Sequence, residues 1–355
     1  MPATLDPPGL IVLFGSGETS DSGRRVFEWL LGRLDPPIRV AVLETPAGFE
    51  LNSELVAGRV AEFLRLRLQN HRPEVTVVPA RRRGTPFSPD DPELARGLAA
   101  ANVFFLGPGS PTYAIRQLDG SLVWQVLTAR HRLGAAVVLA SAAAIAAGAY
   151  GLPVYEIFKA GEDLHWRPGL DFLAPFGLRP AIVPHWNNAE GGATLDTSRS
   201  FMGRERFEEL CGLLPAECPV VGLDEHTALI LDLAASTARV LGLGGVTLRR
   251  GGREARVPAG DSFDLGELGT LRRPAPGEGL TAAVWAEVSR PAPAGPAAIA
   301  SSPPPAVMEL VRQREQHRTD RDWQAADDLR RAIAAAGWQV VDTADGPELI
   351  PLASP

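Results

Sequence analysis

Apolar and polar positions alternate in blocks along the first part of the chain. Apolar β-type runs fall at Leu10–Phe14, Ile38–Leu43, Val75–Val78, Val103–Leu106 and Ala136–Leu139. Runs this short, each bounded by turn residues, predict strands buried on both faces. Between them the apolar period lengthens. Over Leu51–Gln69, the residues Leu55, Val56, Val60, Phe63, Leu64 and Leu68 return every three or four positions, which predicts a helix with one apolar face. Strands alternating with helices predict an α/β fold: a doubly wound, mostly parallel sheet covered on both sides.

The same reading continues downstream. Ala181–Val183 predicts a strand, Gly203–Leu214 a helix, and Val220–Leu223 a strand that resumes at Ala228–Leu231. Arg239–Leu243 and Val246–Leu248 flank Gly244-Gly245 and predict a hairpin at a sheet edge, with a further turn at Arg250-Gly251-Gly252-Arg253. Periodicity then stops. Pro291–Pro305 is Pro, Ala and Ser without pattern, which is linker composition. Beyond it, Ala306–Gln316 and Asp320–Ala336 predict two amphipathic helices closed by Gly337, and Trp338–Val341 and Glu348–Ile350 predict two short strands about Asp345-Gly346. The predicted organisation is an α/β domain over 1–288 that includes an edge hairpin region, a linker over 289–305, and a helical-hairpin appendage over 306–355.

Composition narrows the function classes. The 355 residues are 45% hydrophobic and 22% charged with a net charge of -7, so no overall basic field favours nucleic acid. Lys159 is the single lysine. No apolar run approaches the ~18 residues of a membrane span, and Met1–Pro8 lacks a charged start before an apolar core. Cys211 and Cys218 have no further ligands at metal spacing and read as reduced thiols, so a cytoplasmic location is expected.

In sheets of this kind, chemistry gathers beyond the carboxyl ends of the strands. The loops there are Gly15-Ser16-Gly17-Glu18-Thr19, Glu44-Thr45-Pro46, Gly107-Pro108-Gly109-Ser110-Pro111 and Ser141. The first begins like a dinucleotide loop, but Ser20 stands where the third glycine belongs, and no glycine loop carries a Walker lysine. His185, His226, Glu190, Asp224 and Glu225 are ligand types without ligand spacing. Neither cofactor nor metal is expected.

Nucleophilic catalysis fits better. In Val137–Ile145 a strand stops at Ser141 and turns at once into a helix of small residues, the position of a strand-to-helix nucleophile elbow. The plain alternative is an Ala-rich helix capped by an ordinary serine. A serine nucleophile requires a histidine to take its proton and an acid to orient that histidine. Predicted strand ends supply them in the order Ser141, His185, Glu225. The glycine loop is the source of oxyanion N–H donors, and it doubles as a Pro-Gly turn in which Ser110 caps the next helix. Candidate oxyanion and substrate contacts are Gly107, Gly109, Ser110, Ala142, Asn187, Asn188, Glu190, Tyr155 and Lys159.

At these residues the chain resembles the peptidase S51 group, which includes aspartyl dipeptidase and cyanophycinase and has the class I glutamine amidotransferase-like fold. Phe104–Ser110 stands where that group has an apolar strand and Gly-Gly-Asn-Gln. Ala140–Ala144 stands at its serine block, Pro184-His185 at its histidine strand, and Gly222–Leu229 resembles its Gly-Ile-Asp-Glu-Asn-Thr-Ala block. The resemblance covers about Gly9–Leu248 and implies a Ser-His-Glu triad at Ser141, His185 and Glu225 acting on a peptide or amide. Leu139 and Ala143 replace the elbow glycines, and a Cβ at either place is expected to crowd the turn.

The last fifty or so residues are similar to the C-terminal region of cysteinyl-tRNA synthetases. The match is carried by Arg314-Glu315, Arg318, Asp322-Trp323, Ala326-Asp327, Leu329-Arg330, Gly337 and Asp342-Thr343 with Gly346. No catalytic core of such an enzyme accompanies them. Arg312, Arg314, Arg318, Arg321, Arg330 and Arg331 are candidates for an RNA contact, and the interleaved acids for a salt-bridged helix surface instead. Two functional readings stand: a serine hydrolase of small peptides or amides, and a non-catalytic binding protein for a small ligand or RNA that has lost the elbow glycines. A homodimer is compatible with either, and no membrane partner is expected.

Overall fold

The computed structural model describes residues 7–290, 305–320, 322–335, 338–343 and 346–351. The chain divides into two compact units, Met1–Ser289 and Arg290–Pro355. Most of the expected linker, together with Arg321, Gly337 and Asp345, lies outside the described residues.

In the first unit the elements run β1 (Ile11–Phe14), α1 (Asp21–Leu31), β2 (Arg39–Leu43), α2 (Ser53–Arg67), β3 (Glu74–Val78), α3 (Pro92–Gly97), β4 (Val103–Leu106), α4 (Pro111–Leu118), α5 (Leu122–Arg132), β5 (Ala136–Ala140) and α6 (Ala142–Ala147). They continue with β6 (Tyr150–Gly151), α7 (Val154–Phe158), β7 (Arg167–Pro168), β8 (Ala181–Val183), α8 (Arg204–Gly212), β9 (Val220–Leu223), β10 (Thr227–Asp232), β11 (Thr237–Gly242), β12 (Gly245–Arg250), β13 (Arg253–Pro258), β14 (Ser262–Asp264) and α9 (Ala282–Val288).

Eight strands form the main sheet in the order β14-β11-β10-β1-β5-β4-β2-β3. Its β1-β5-β4-β2-β3 part is parallel, and β10, β11 and β14 extend it antiparallel. The strand period of two sorts side chains onto opposite faces. Leu13, Leu43, Phe104, Val137 and Leu139 pack on one face with α5 and α6, while Phe14, Val42, Phe105, Val138 and Ala140 pack on the other with α1 and α2. Burial on both faces is why these strands read as unbroken apolar runs.

A second sheet, ordered β13-β12-β9-β8-β6-β7, brings the parallel neighbours β8 and β9 together. Ile182, Val221 and Leu223 of this sheet join the same core as Leu139, and Val183 and Val220 pack with α8 on the far side. The carboxyl ends of β1, β5, β8 and β9 converge. Ser141 N–H donates to the Phe14 carbonyl at 3.3 Å, His185 N–H to that of Gly15 at 3.2 Å, and Trp186 N–H to that of Leu223 at 2.9 Å.

The expected hairpin across Gly244-Gly245 does not form. β11 pairs with β10 and β14, β12 pairs with β9 and β13, and the chain crosses between sheets at Gly242–Gly245. Buried polar groups hold that crossing: Asp224 accepts the Gly245 N–H and Thr227 Oγ1 accepts that of Gly244, both at 2.9 Å. A glycine pair marks a change of direction and does not say which strand receives the chain. The hairpin that does form joins β12 to β13 through Gly251 and Gly252, whose φ values of 55° and 75° are the pair a two-residue primed turn requires.

In the second unit, α10 (Pro305–Thr319) and α11 (Trp323–Ala335) precede the antiparallel pair β15 (Trp338–Thr343) and β16 (Gly346–Pro351). Val307, Val311, Ile333, Trp338 and Val340 form its small core.

Candidate active site

Ser141 joins β5 to α6 at φ 51° and ψ −113°, and its hydroxyl makes no capping bond to the helix. That sets aside the ordinary helix-cap reading. The hydroxyl lies instead 3.0 Å from His185 Nε2. The elbow forms without glycines because both substituted side chains point away from the turn. Leu139 sits in register between Leu13 of β1 and Leu106 of β4, and it and Ala143 are buried in the apolar core. The expected crowding is absent.

His185 follows β8, and its Nδ1 lies 3.0 Å from Glu225 Oε1, just beyond β9. With a carboxylate as partner, Nδ1 carries the ring hydrogen and donates, leaving Nε2 as acceptor toward Ser141. The His185 hydrogen bond, then that of Asn188, holds the Glu225 carboxyl below its ordinary pKa. Asn188 Nδ2 donates to Glu225 Oε1 at 2.9 Å, and Asn187 Oδ1 accepts the Glu225 N–H at 2.8 Å. Both asparagines were expected at the substrate. Their amides are engaged in holding Glu225.

The glycine loop divides in the same way. Gly109, at φ 145°, lies so close to Pro46 that a Cβ would stand 2.0 Å from its carbonyl oxygen. Only glycine fits there, and its N–H has no acceptor among the described residues. Ser110 N–H donates to Pro46 at 2.9 Å and its Oγ caps α4 at Tyr113 N, so it is no oxyanion donor. Gly107 stands back against the Phe105 ring, outside the cavity. Ala142, as the first residue of α6, keeps an N–H without an intrahelical partner.

A cavity of about 320 Å³ gathers Gly109, Ser141, Ala142, Tyr155, Lys159, His185 and Glu190. Five of the candidate contacts, Gly109, Ala142, Tyr155, Lys159 and Glu190, thus line one cavity with Ser141. Lys159 Nζ rests 4.8 Å above the Phe158 ring at the opening. Tyr155 has its phenol pKa raised, chiefly by burial.

Some lining was not foreseen. Ser200 and Phe201 close the cavity from a run of three left-handed residues, Arg199, Ser200 and Phe201, at φ 59°, 55° and 67°. The Phe201 ring centroid is 6.2 Å from that of His185. No glycine announces this turn, so the sequence carries no signal for it. Glu18, in the loop after β1, feels the charges of His185 and His226, and burial pushes its carboxyl pKa up. Among the described residues, no three His, Cys, Asp or Glu side chains converge as metal ligands.

In the second unit, several of the arginines named for RNA are paired with acids. Arg312 meets Glu309 at 2.7 Å, Arg314 and Arg318 meet Glu315 at 2.5 Å and 3.5 Å, and Arg331 pairs with Asp328.

No family model matches the chain. Its C-terminal region is 47% identical over 49 residues to the cysteine–tRNA ligase of Chlamydia pneumoniae, a stretch that is 14% of this chain and 10% of that protein. The chain therefore spans about a tenth of that relative's length. Among solved structures, a putative peptidase E protein from Listeria monocytogenes is 13% identical with a TM-score of 0.41, covering 68% of this chain and 98% of its own. The crystal structure of a peptidase from an acI-B1 Actinobacterium is 20% identical with a TM-score of 0.58, covering 73% of this chain and 97% of its own. The likeness to the latter is one of fold: a mixed α/β unit built on a large, mostly parallel sheet flanked by helices.

Proposed function

We propose that the Met1–Ser289 unit is a serine hydrolase of peptidase S51 type that cleaves a peptide or amide bond in a small substrate. The observation that carries this is the unbroken chain from Ser141 Oγ to His185 Nε2 and from His185 Nδ1 to Glu225, with 3.0 Å at each link. A serine recruited only to cap a helix has no reason to adopt a left-handed φ and turn its hydroxyl toward a histidine.

The reaction follows from these positions. Ser141 Oγ attacks the carbonyl carbon as His185 Nε2 takes its proton, and Glu225 stabilises the resulting imidazolium. The Gly109 and Ala142 N–H groups receive the oxyanion. Collapse of the tetrahedral intermediate breaks the C–N bond, and the Nε2 proton leaves on the amine. Water, deprotonated by His185, then hydrolyses the acyl-enzyme and restores Ser141.

A fluorophosphonate probe tests the reading, because it labels an activated serine without requiring the natural substrate. Wild-type protein is expected to be labelled at Ser141, Ser141→Ala to be silent, and Glu225→Gln to react on the order of ten-thousandfold more slowly. Absence of labelling, or equal labelling of Ser141→Ala, would instead support a non-catalytic binding protein. For residues 306–355 the ligase-like stretch supports a separate proposal, an RNA contact, against which the ion pairs of Arg312, Arg314, Arg318 and Arg331 weigh.

A further inference from the structure

Beside the nucleophile cavity lies a larger cleft of about 810 Å³. Tyr155 lines both, and successive residues at the start of α4 face them in turn: Gly109 and Pro111 line the first, Ser110 and Thr112 the second. The two cavities therefore share a wall a few ångströms thick by the spacing of adjacent residues, roughly 4 Å.

This cleft presents charge of both signs. Within the run Arg81-Arg82-Arg83, the outer two are engaged: Arg81 pairs with Glu44 at 2.6 Å and Arg83 with Asp90 at 3.1 Å. Arg82 lines the cleft, and its guanidinium has no ion-pair or hydrogen-bond partner among the described residues. Arg116, across the Tyr113 ring at 5.2 Å, is in the same state. Glu50 and Glu156 line the cleft too and form no ion pair with either arginine. Glu156 Oε2 is shut off from water without a hydrogen-bond donor. A carboxylate oxygen left in that state costs free energy that an incoming donor would offset. Phe49 and Tyr155, both substantially exposed, supply the apolar surface.

Opposite charges that share a cleft without meeting suit a ligand that pairs with each of them. We propose that this cleft is an extended subsite for a peptide substrate bearing a cationic group and a carboxylate, with Glu156 and Glu50 receiving the cation and Arg82 and Arg116 the carboxylate. The proposal rests on the hydrolase reading of Ser141. The smaller cavity holds the bond to be cut, and the chain of the substrate continues past Tyr155. The combined space somewhat exceeds the upper end of what ligand sites ordinarily occupy, about 1,000 Å³, and accommodates more than a dipeptide.

The test is binding of hexapeptides to full-length Ser141→Ala by calorimetry, which requires no turnover. The set places one Lys and one Glu at each pair of positions in an alanine background, with both ends blocked. Unblocked counterparts distinguish a terminal amine or carboxylate from a side chain. At least one arrangement is expected to bind about tenfold tighter than the all-Ala peptide, a gap typical of one or two charge-assisted contacts. Glu156→Gln and Arg116→Gln should each remove most of that gain and leave all-Ala binding unchanged. In the active chain, the same substitutions should raise KM for the selected peptide with kcat and probe labelling retained, which also establishes that the variants fold. No preference for any charged peptide, or a preference untouched by both substitutions, would overturn the subsite. Charge-selective binding by a protein whose Ser141 takes no probe would overturn the hydrolase and leave the subsite standing.

Discussion

At φ 51° and ψ −113°, Ser141 holds a backbone conformation that favours glycine, because a Cβ there crowds its own carbonyl neighbours. Such strain costs on the order of 1–3 kcal/mol and persists only where the surroundings over-determine it. Here they do: the N–H is tied to Phe14, the preceding Leu139 is locked between two strands, and α6 begins at the next residue. Replacing the side chain separates strain from chemistry. Ser141→Gly is expected to be more stable than Ser141→Ala by about 1 kcal/mol, although both lack the nucleophile. Denaturant unfolding of the pair checks this, and equal stabilities would mean that the elbow is unstrained. The serine, histidine and glutamate were legible because each lies within two residues of an apolar run whose end is visible in sequence. The tasks of Asn187 and Asn188 were not, since a polar loop near a site looks the same whether it touches substrate or braces an acid. Nor was the Arg199–Phe201 turn, whose left-handed residues are neither Gly nor Asn.

Among the elements, β1, β2, β4 and β5 could be read almost to the residue because burial on both faces leaves almost no polar interruption, whereas the edge strand β3 alternates with exposed positions. The link from β11 to β12 misled because turn chemistry is local and sheet membership is not. One element carries a titration that can be predicted. His131, in the last turn of α5, is fully buried against Phe172 and Phe176, with ring centroids 5.0 Å and 5.7 Å away. Its Nε2 lies 2.9 Å from the Gly9 carbonyl oxygen and donates to it, tying α5 to the segment that leads into β1. Burial lowers its pKa from 6.5 to about 4. Below pH 6.5 the unfolded chain binds a proton that the folded one refuses until about pH 4, so stability falls with pH across that window and levels off beneath it. The shift corresponds to about 3 kcal/mol. His131→Gln keeps a donor for Gly9 and does not titrate. Unfolding free energies at several pH values should show wild type losing about 3 kcal/mol relative to this variant between neutrality and pH 4, and parallel profiles would refute the assignment.

For the whole molecule, the division at Ser289 separates two kinds of resemblance. Every residue of the candidate site, from Glu18 through Glu225, and both cavities lie in Met1–Ser289, whose cores are closed by its own helices and sheets. The ligase-like stretch lies in the other unit, which has its own small core. A site complete within one unit does not need the other for its geometry. Truncation after Ser289 is therefore expected to leave probe labelling and peptide hydrolysis within about twofold of the full chain, since a domain with its own core can in principle fold alone. RNA affinity, if residues 306–355 supply it, should disappear with the same cut and in the full chain should weaken as salt rises, because phosphate contacts release counterions. The ion pairs on α10 and α11 make the expected slope shallow, since an arginine already paired with an acid has less to gain from a phosphate. Electrophoretic mobility shifts of a tRNA at several salt concentrations, run beside hydrolysis assays of both lengths, measure the two outcomes independently. A truncated protein that folds but loses labelling would place part of the active site's support in the second unit and overturn the division of labour drawn here.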